Sequence, residues 1–487
     1  YGGEAVISGL YGPVSFSAGA YSYDTDGWRP NNGLSRDIYN IFGQVAITPQ
    51  LNLQAEIRHT ESKAGDLAFN FDPDIFLLDK TDERESDSVR LGLRYTPTSD
   101  SRHNFLLSYI YNDRDELLNQ SDLLDPFTTL SISSDVKDKG NQAEGQYIYK
   151  KDRLNVVSGI AYSDSDRDIV DSIVISIDGI GPVDEFGGTL NQVVEHARGY
   201  AYVSGNMLPA VNSVDLTIGA SYDDYEEGIL KETNFNPKLG VIWQASNSLR
   251  LRAAAFKVVK PLMVNNRTLE PTQVAGFNQF FDDINGTESW RYGAGVDWNV
   301  NENLAVGAEA TWRDLDEPVF IFFEDPARTD FESRKEQLHR PYLYWTPTER
   351  ISVSSEIIYD LFESQDGIAT EFDNLPKKVK TIRFPVGINY FHPSGFFAGA
   401  LGSYVDQEVV RDELSTLGQG KDSFFVVDVA AGYRFPKRRG IASLSIVNLF
   451  DEEFKYQDDS YREWRGESST GPYFPDRIIR ASVTVNF

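Results

Sequence analysis

Apolar and polar residues take turns along this chain. At its end, Ile479, Ala481, Val483, Val485 and Phe487 alternate with Arg480, Ser482, Thr484 and Asn486. A period of two sends successive side chains to opposite faces, so the segment reads as a strand. The same alternation occupies 51–57, 89–95, 292–298 and 304–312, and helical spacing fits none of these windows. About 21 such segments of roughly 9 to 13 residues follow one another, long enough to cross a bilayer at a steep tilt.

The connections alternate too. Short ones fall near 12–13, 48–50, 96–103, 150–153, 208–212, 245–248, 299–303, 346–350, 391–395 and 435–439. Between them come long acidic stretches such as 61–87, 113–140, 163–196, 258–289 and 451–476. Strict short–long alternation is expected of a transmembrane barrel with short periplasmic turns and long outer loops, and of neither a sandwich nor a propeller. The expected fold is therefore all-β: a transmembrane antiparallel β-barrel of about 22 strands filling residues 1–487. Strand one, near 4–11, and the last strand both descend toward the short turns. An even count then calls for one ascending strand upstream of Tyr1, with about 21 seen here. Tyr and Trp near strand ends, among them Tyr21, Tyr109, Tyr147, Tyr222, Trp298, Trp312, Tyr342, Trp345, Tyr404 and Tyr433, suit two aromatic girdles.

Composition narrows the chemistry. The 46 Lys+Arg against 74 Asp+Glu leave a net charge of −28, which opposes nucleic acid as a partner. The absence of cysteine excludes disulfides, Cys-ligated zinc and thiol chemistry. No apolar run reaches the ~20 residues of a spanning helix, which leaves strands as the way across.

Particular stretches carry a family likeness. Asn236-Pro237-Lys238-Leu239-Gly240-Val241, then Ser248 to Phe256, then Trp290 to Trp298 with the turn at 299–303 and Leu304 to Trp312, resemble the mid-barrel of TonB-dependent outer-membrane receptors. The ending, Val447-Asn448-Leu449-Phe450-Asp451-Glu452-Glu453-Phe454 and a last strand closing on Phe487, is similar as well. The resemblance implies a transport barrel in the outer membrane of a Gram-negative bacterium, in contact with lipid and lipopolysaccharide. In that family a plug and a TonB-contacting box precede the barrel; here strand one begins at once, so the expectation is a missing N-terminal segment that would reach TonB, or a periplasmic export module in its place.

Candidate residues follow from position. The inward set Glu56, Arg58, Arg90, Arg94, Asp215, Arg252, Asp297, Glu309, Arg313, Glu356, Arg383, Arg434 and Arg480 would line the lumen, as a path for a ligand or as cross-strand salt bridges. Trp28, Arg29, Phe277, Phe280, Phe281, Tyr461, Trp464 and Arg465 in the long connections could stack on a ligand at the mouth, or pack among themselves. Asp164, Asp166 and Asp168 follow D-x-D-x-D, but Ile169 and Ile175 stand where a calcium loop needs Gly and Glu. Asp72, Asp74, Asp79, Asp82 and Glu83 form another acidic group. The five histidines show no metal spacing, and no hydrolase elbow occurs, so the expectation is no enzyme, no cofactor and no metal. The expected function is passage of a large ligand of the siderophore, cofactor or glycan class. The alternatives are a plugless export conduit for a polysaccharide or protein, and a structural or adhesion barrel.

Overall fold

The computed structural model describes residues 1–97, 101–125, 127–206, 213–280, 283–321, 328–365, 367, 375–413, 415–465 and 472–487. Its main sheet has 22 paired segments, each antiparallel to its neighbours. Two of them, Ile351–Glu356 and Ile358–Ser364, lie end to end against the same two neighbours and form one interrupted strand. The strands, numbered in chain order, are β1 (Gly2–Tyr11), β2 (Val14–Thr25), β3 (Leu34–Ala46), β4 (Leu51–Ala64), β5 (Thr81–Tyr95), β6 (His103–Asp125) and β7 (Thr128–Lys151). They continue with β8 (Leu154–Ile177), β9 (Gly181–Gly205), β10 (Val214–Glu227), β11 (Leu230–Gln244), β12 (Leu249–Val259), β13 (Glu288–Asn301) and β14 (Leu304–Ile321). After β15 (Arg328–Thr348) and the interrupted β16 come β17 (Lys378–Phe391), β18 (Phe396–Val410), β19 (Gly420–Arg434), β20 (Gly440–Val447) and β21 (Ile478–Val485). Every strand pairs with the next in sequence, the meander of a barrel. Among the described residues β1 bonds only to β2, and β21 only to β20.

The alternation seen in the sequence becomes two surfaces. Outward, Ile7, Ile41, Ile57, Leu91, Leu107, Ile160, Ile218 and Leu239 are each about half exposed or more. A continuous apolar belt of this kind is foreign to a soluble monomer. Inward, charged and amide side chains predominate, and several are buried, including Glu144, His196, Arg198, Asp223, Lys238, Arg291 and Arg313.

Two expectations are corrected. The stretches 113–125, 128–140 and 163–196 are strand rather than loop apart from a tight turn at 178–180: β6 to β9 run 23 to 25 residues each. Charge made them look like loops, but Ile132, Val136, Ile169, Ile173, Ile175 and their Ser/Thr neighbours favour extended backbone. The D-x-D-x-D run consequently lies on β8, where alternation sets Asp164, Asp166 and Asp168 in a line along one face instead of around an ion. Tyr342 also leaves the girdle: it faces inward over Gly307, and its hydroxyl donates to Asp297.

Candidate functional site

Residues 260–280 and 283–287, between β12 and β13, turn inward and pack along the inner wall. The first half of this segment meets β7. The Gln142 side chain accepts from the Val264 amide (2.9 Å) and donates to the Arg267 carbonyl (2.8 Å). Gln146 donates to the Leu269 carbonyl, and the Glu144 carboxylate gathers the Leu269 amide (2.7 Å), the Glu270 amide (3.1 Å) and the Thr268 hydroxyl (3.1 Å). From β9, Arg198 pairs with Glu270 at 3.2 Å, and Tyr202 donates to the same carboxylate. These are strand side chains at alternate positions, so the wall presents a rigid row of donors and acceptors.

The second half of the segment packs on β11 to β14. Phe277 is buried beneath the Arg252 guanidinium of β12, 5.1 Å from ring centre to cation. It docks where β13 has Gly293; a Cβ there would fall 2.4 Å from the ring. Gly240 of β11 does the same for Val274 and Ala275, at 2.8 Å. Asp283 then receives Arg291 (3.1 Å) and Arg313 (2.5 Å) from β13 and β14. The segment is thus pinned at both ends along the inner wall from β7 to β14.

A second inward body caps the loop end on the opposite side. Asn70–Phe71 pairs with Tyr456–Gln457, joining the β4–β5 and β20–β21 connections across nearly the whole sequence. Phe69, Val405, Phe424, Val426, Phe454 and Tyr456 form its apolar centre, with Phe424 and Phe454 stacked at 3.8 Å. Buried Asp458 accepts from the Phe69 amide (3.1 Å) and the Ser460 amide (2.9 Å). Loss of water outweighs these bonds and pushes its carboxyl up to about 6. Arg411 reaches the Gly418 carbonyl (3.1 Å) and Gln457 (2.5 Å), and burial lowers it to about 10. The two bodies meet through charge: Glu336 of β15 pairs with Arg313 on one side and with Arg462 (3.0 Å) on the other.

The lumenal candidates fall into place as cross-strand partners. Glu56 pairs with Arg90 and lies 3.7 Å from Arg267 of the segment on β7 to β14. Arg252 links Asp297 (3.1 Å) to Glu309 (2.8 Å), Arg340 pairs with Glu356 (3.8 Å), and Arg383 lies 3.9 Å from Asp360. Arg94 donates to Asn104 (3.0 Å), Arg434 covers Phe391 and Phe397, and Arg480 covers Phe474. Arg58 and Asp215 share the inward parity of these rows, on β4 and β10.

Among the described residues, the mouth candidates do not gather into one site. Trp28 packs on Phe69 at 5.3 Å, and Arg29 is buried between Trp28 and Phe76, bonded to the Pro73, Asp66 and Ala68 carbonyls. Burial lowers the Arg29 guanidinium from its ordinary value. Tyr461 meets Phe362 edge-on at 4.9 Å. Phe277 and Phe280 belong to the segment on β7 to β14, Phe280 beneath Arg198. Phe281 and the side chains of Trp464 and Arg465 lie outside the described residues. Sequence reading passed over Glu144, Arg198, Glu270, Asp283 and Glu336. The alternation marked β7, β9 and β15 as strands, but nothing linear showed that 260–287 would fold against them.

The family model described as TonB dependent receptor-like, beta-barrel matches residues 4–316. The chain belongs to that family. Among solved structures, this receptor-like barrel is similar to FpvA of Pseudomonas aeruginosa bound to heterologous pyoverdines, with a TM-score of 0.69 and 14% identity over 99% of this chain and 69% of that one. It is also similar to the FrpB iron transporter of Neisseria meningitidis (TM-score 0.70, 13% identity, 99% and 78% covered) and to the copper transporter OprC (0.68, 12%, 100% and 80%). At such identities the likeness is one of fold. A search of curated proteins returns no match. TonB-dependent receptors are outer-membrane transporters of Gram-negative bacteria rather than enzymes, and this barrel shares their architecture.

Proposed function

We propose that this receptor-like barrel passes a large ligand, of the siderophore, cofactor or glycan class, across the outer membrane. Segment 260–287 is then the part of the path that the ligand must displace, and energy for that displacement would come through TonB. The apolar outer belt would face lipid, with lipopolysaccharide around the loop end. One observation carries the reading: a single connection folds into the barrel and lines its inner wall from β7 to β14, held by side chains that compete with water for their partners. The likeness in fold to FpvA, which binds pyoverdines, and to an iron and a copper transporter supports it.

The test is conductance in planar bilayers and uptake of sized glycans into liposomes, comparing the chain with a variant shortened within 265–280. The shortened variant is expected to conduct several-fold more and to admit larger solutes. Equal conductance and equal size limits would sink the reading.

A further inference from the structure

The outer wall carries a group of side chains that the transport path does not use. His59 of β4 stands directly opposite Asp87 of β5, and its Nδ1 lies 2.9 Å from Asp87 Oδ1. Glu85, two residues along the same strand, shares that face. One ligand-capable atom from each of His59, Glu85 and Asp87 falls within 4.8 Å of the others. Ile57 and Ile41, on the same parity and just below, belong to the apolar belt, so the group looks outward at the belt's loop-side edge. Tyr39 stacks against the His59 ring at 6.2 Å and limits its rotation.

The surrounding register sharpens the point. In one row across four strands, Asp37, Glu61, Glu85 and Asp115 are successive direct partners, and in the next row Asp87 faces Asp113. Like charges placed directly opposite each other destabilise a sheet. Lys139, 3.6 Å from Asp113, Lys137, directly opposite Asp115, and Lys63, paired with Glu83, flank these rows, and among the described residues the direct partners of Glu61 and Glu85 are all carboxylates. An imidazole with two carboxylates is a ligand set for a borderline first-row divalent cation, with open positions for water or an oxyanion.

We infer that His59, Glu85 and Asp87 form a divalent transition-metal site of the zinc type on the outer wall of the barrel, cross-linking β4 to β5. Asp87 either ligates directly or holds the imidazole so that its other nitrogen does. The inference is independent of what the lumen transports. It also explains why spacing along the chain gave no sign of it: the ligands come from two strands, and only register brings them together.

Isothermal titration of Zn²⁺ into the full chain in detergent micelles tests it, with His59→Gln, Glu85→Gln and Asp87→Asn alongside His392→Gln as a turn-end control. The chain is expected to bind one zinc saturably, and each of the three wall substitutions to weaken binding by about tenfold or more. Co²⁺ should give ligand-field bands that are lost in His59→Gln while the β-sheet circular dichroism is kept. Unchanged affinity in His59→Gln, equal weakening in His392→Gln, or displacement of zinc by equimolar Mg²⁺ would each overturn the assignment, the last by showing a carboxylate patch without imidazole ligation.

Discussion

Residues 260–280 and 283–287 meet the wall through ion pairs and hydrogen bonds of Glu144, Arg198, Glu270, Asp283, Arg291 and Arg313, whereas 65–80 and 451–465 meet it chiefly through Phe69, Val405, Phe424, Phe454 and Tyr456. Both enter the same barrel, the first adding buried ion pairs to the apolar contacts of Val274, Ala275 and Phe277, the second centred on stacked rings. The difference matters for opening. A charged anchor is stable only while its partner is in place, and a competing ion or ligand can exchange for it. An aromatic anchor has no such competitor in water and yields mainly to loss of volume. The segment on β7 to β14 is therefore the more releasable body, and the paired loops at the rim are the more permanent one.

Removing one charge should break this contrast most severely. Asp283→Ala takes away the carboxylate shared by Arg291 and Arg313, which are both buried. Breaking a buried pair from one side costs about 3 to 5 kcal/mol. The expected result is a raised open fraction in single-channel records, with faster hydrogen exchange across 262–280 and the rim left protected. If exchange instead rises equally at 69–72, the two bodies are not separable and the contrast is lost.

The aromatic side is tested by Phe454→Ala, which empties the ring stacked on Phe424. A buried Phe truncation costs about 3 kcal/mol or somewhat more, less where neighbours collapse into the gap. Exchange should rise at 69–72 and 454–458 while 262–280 stays as it was. Conductance should change little, because the segment on β7 to β14 keeps its own anchors.

How much of this could be read from the sequence divides along the same line. Alternation in stretches such as 304–312 and 479–487 gave strands, their inward face and the barrel, since a period of two is a local property. The inward charges Glu56, Arg90, Arg252, Asp297, Glu309 and Arg313 were legible for the same reason, and the structure places them as cross-strand partners. The inward course of 260–287 was not. It depends on Gly240 and Gly293, whose missing side chains make sockets for Val274, Ala275 and Phe277, and a socket exists only once strands are adjacent. The pairing of 70–71 with 456–457 was hidden likewise, because its partners lie at opposite ends of the chain.

Acidity distinguishes the two bodies more gently. Asp458 holds the rim, and its carboxyl is pushed up to about 6 from 3.8 by burial. The folded rim thus binds a proton more tightly than the unfolded chain does, so its stability is full below about pH 4 and is lost as pH rises through about 6. The loss is roughly 2 to 3 kcal/mol at the most, from a shift of about two pH units. Protection at 69–72, corrected for intrinsic exchange, should fall between about pH 4 and pH 6.5 and level off above about pH 7, and Asp458→Asn should flatten that dependence. A rise over the same range would mean that the carboxylate is held by its amide donors more strongly than burial disfavours it.

The smallest effect is expected where charge occurs on the aromatic body. Lys455 pairs with Asp72 at the rim, and half of the lysine side chain remains exposed. Water and salt screen such a pair, so Lys455→Ala should cost less than about 1 kcal/mol. This gives the comparison its internal control. If charge as such governed release, Lys455→Ala would loosen 69–72 as Asp283→Ala loosens 262–280. If burial of the charge governs it, protection at 69–72 will be nearly unchanged, because the rings beneath carry the contact. A loss at Lys455 comparable to that at Asp283 would show that the rim, too, is held by charge, and the distinction between a releasable segment and a permanent one would fail.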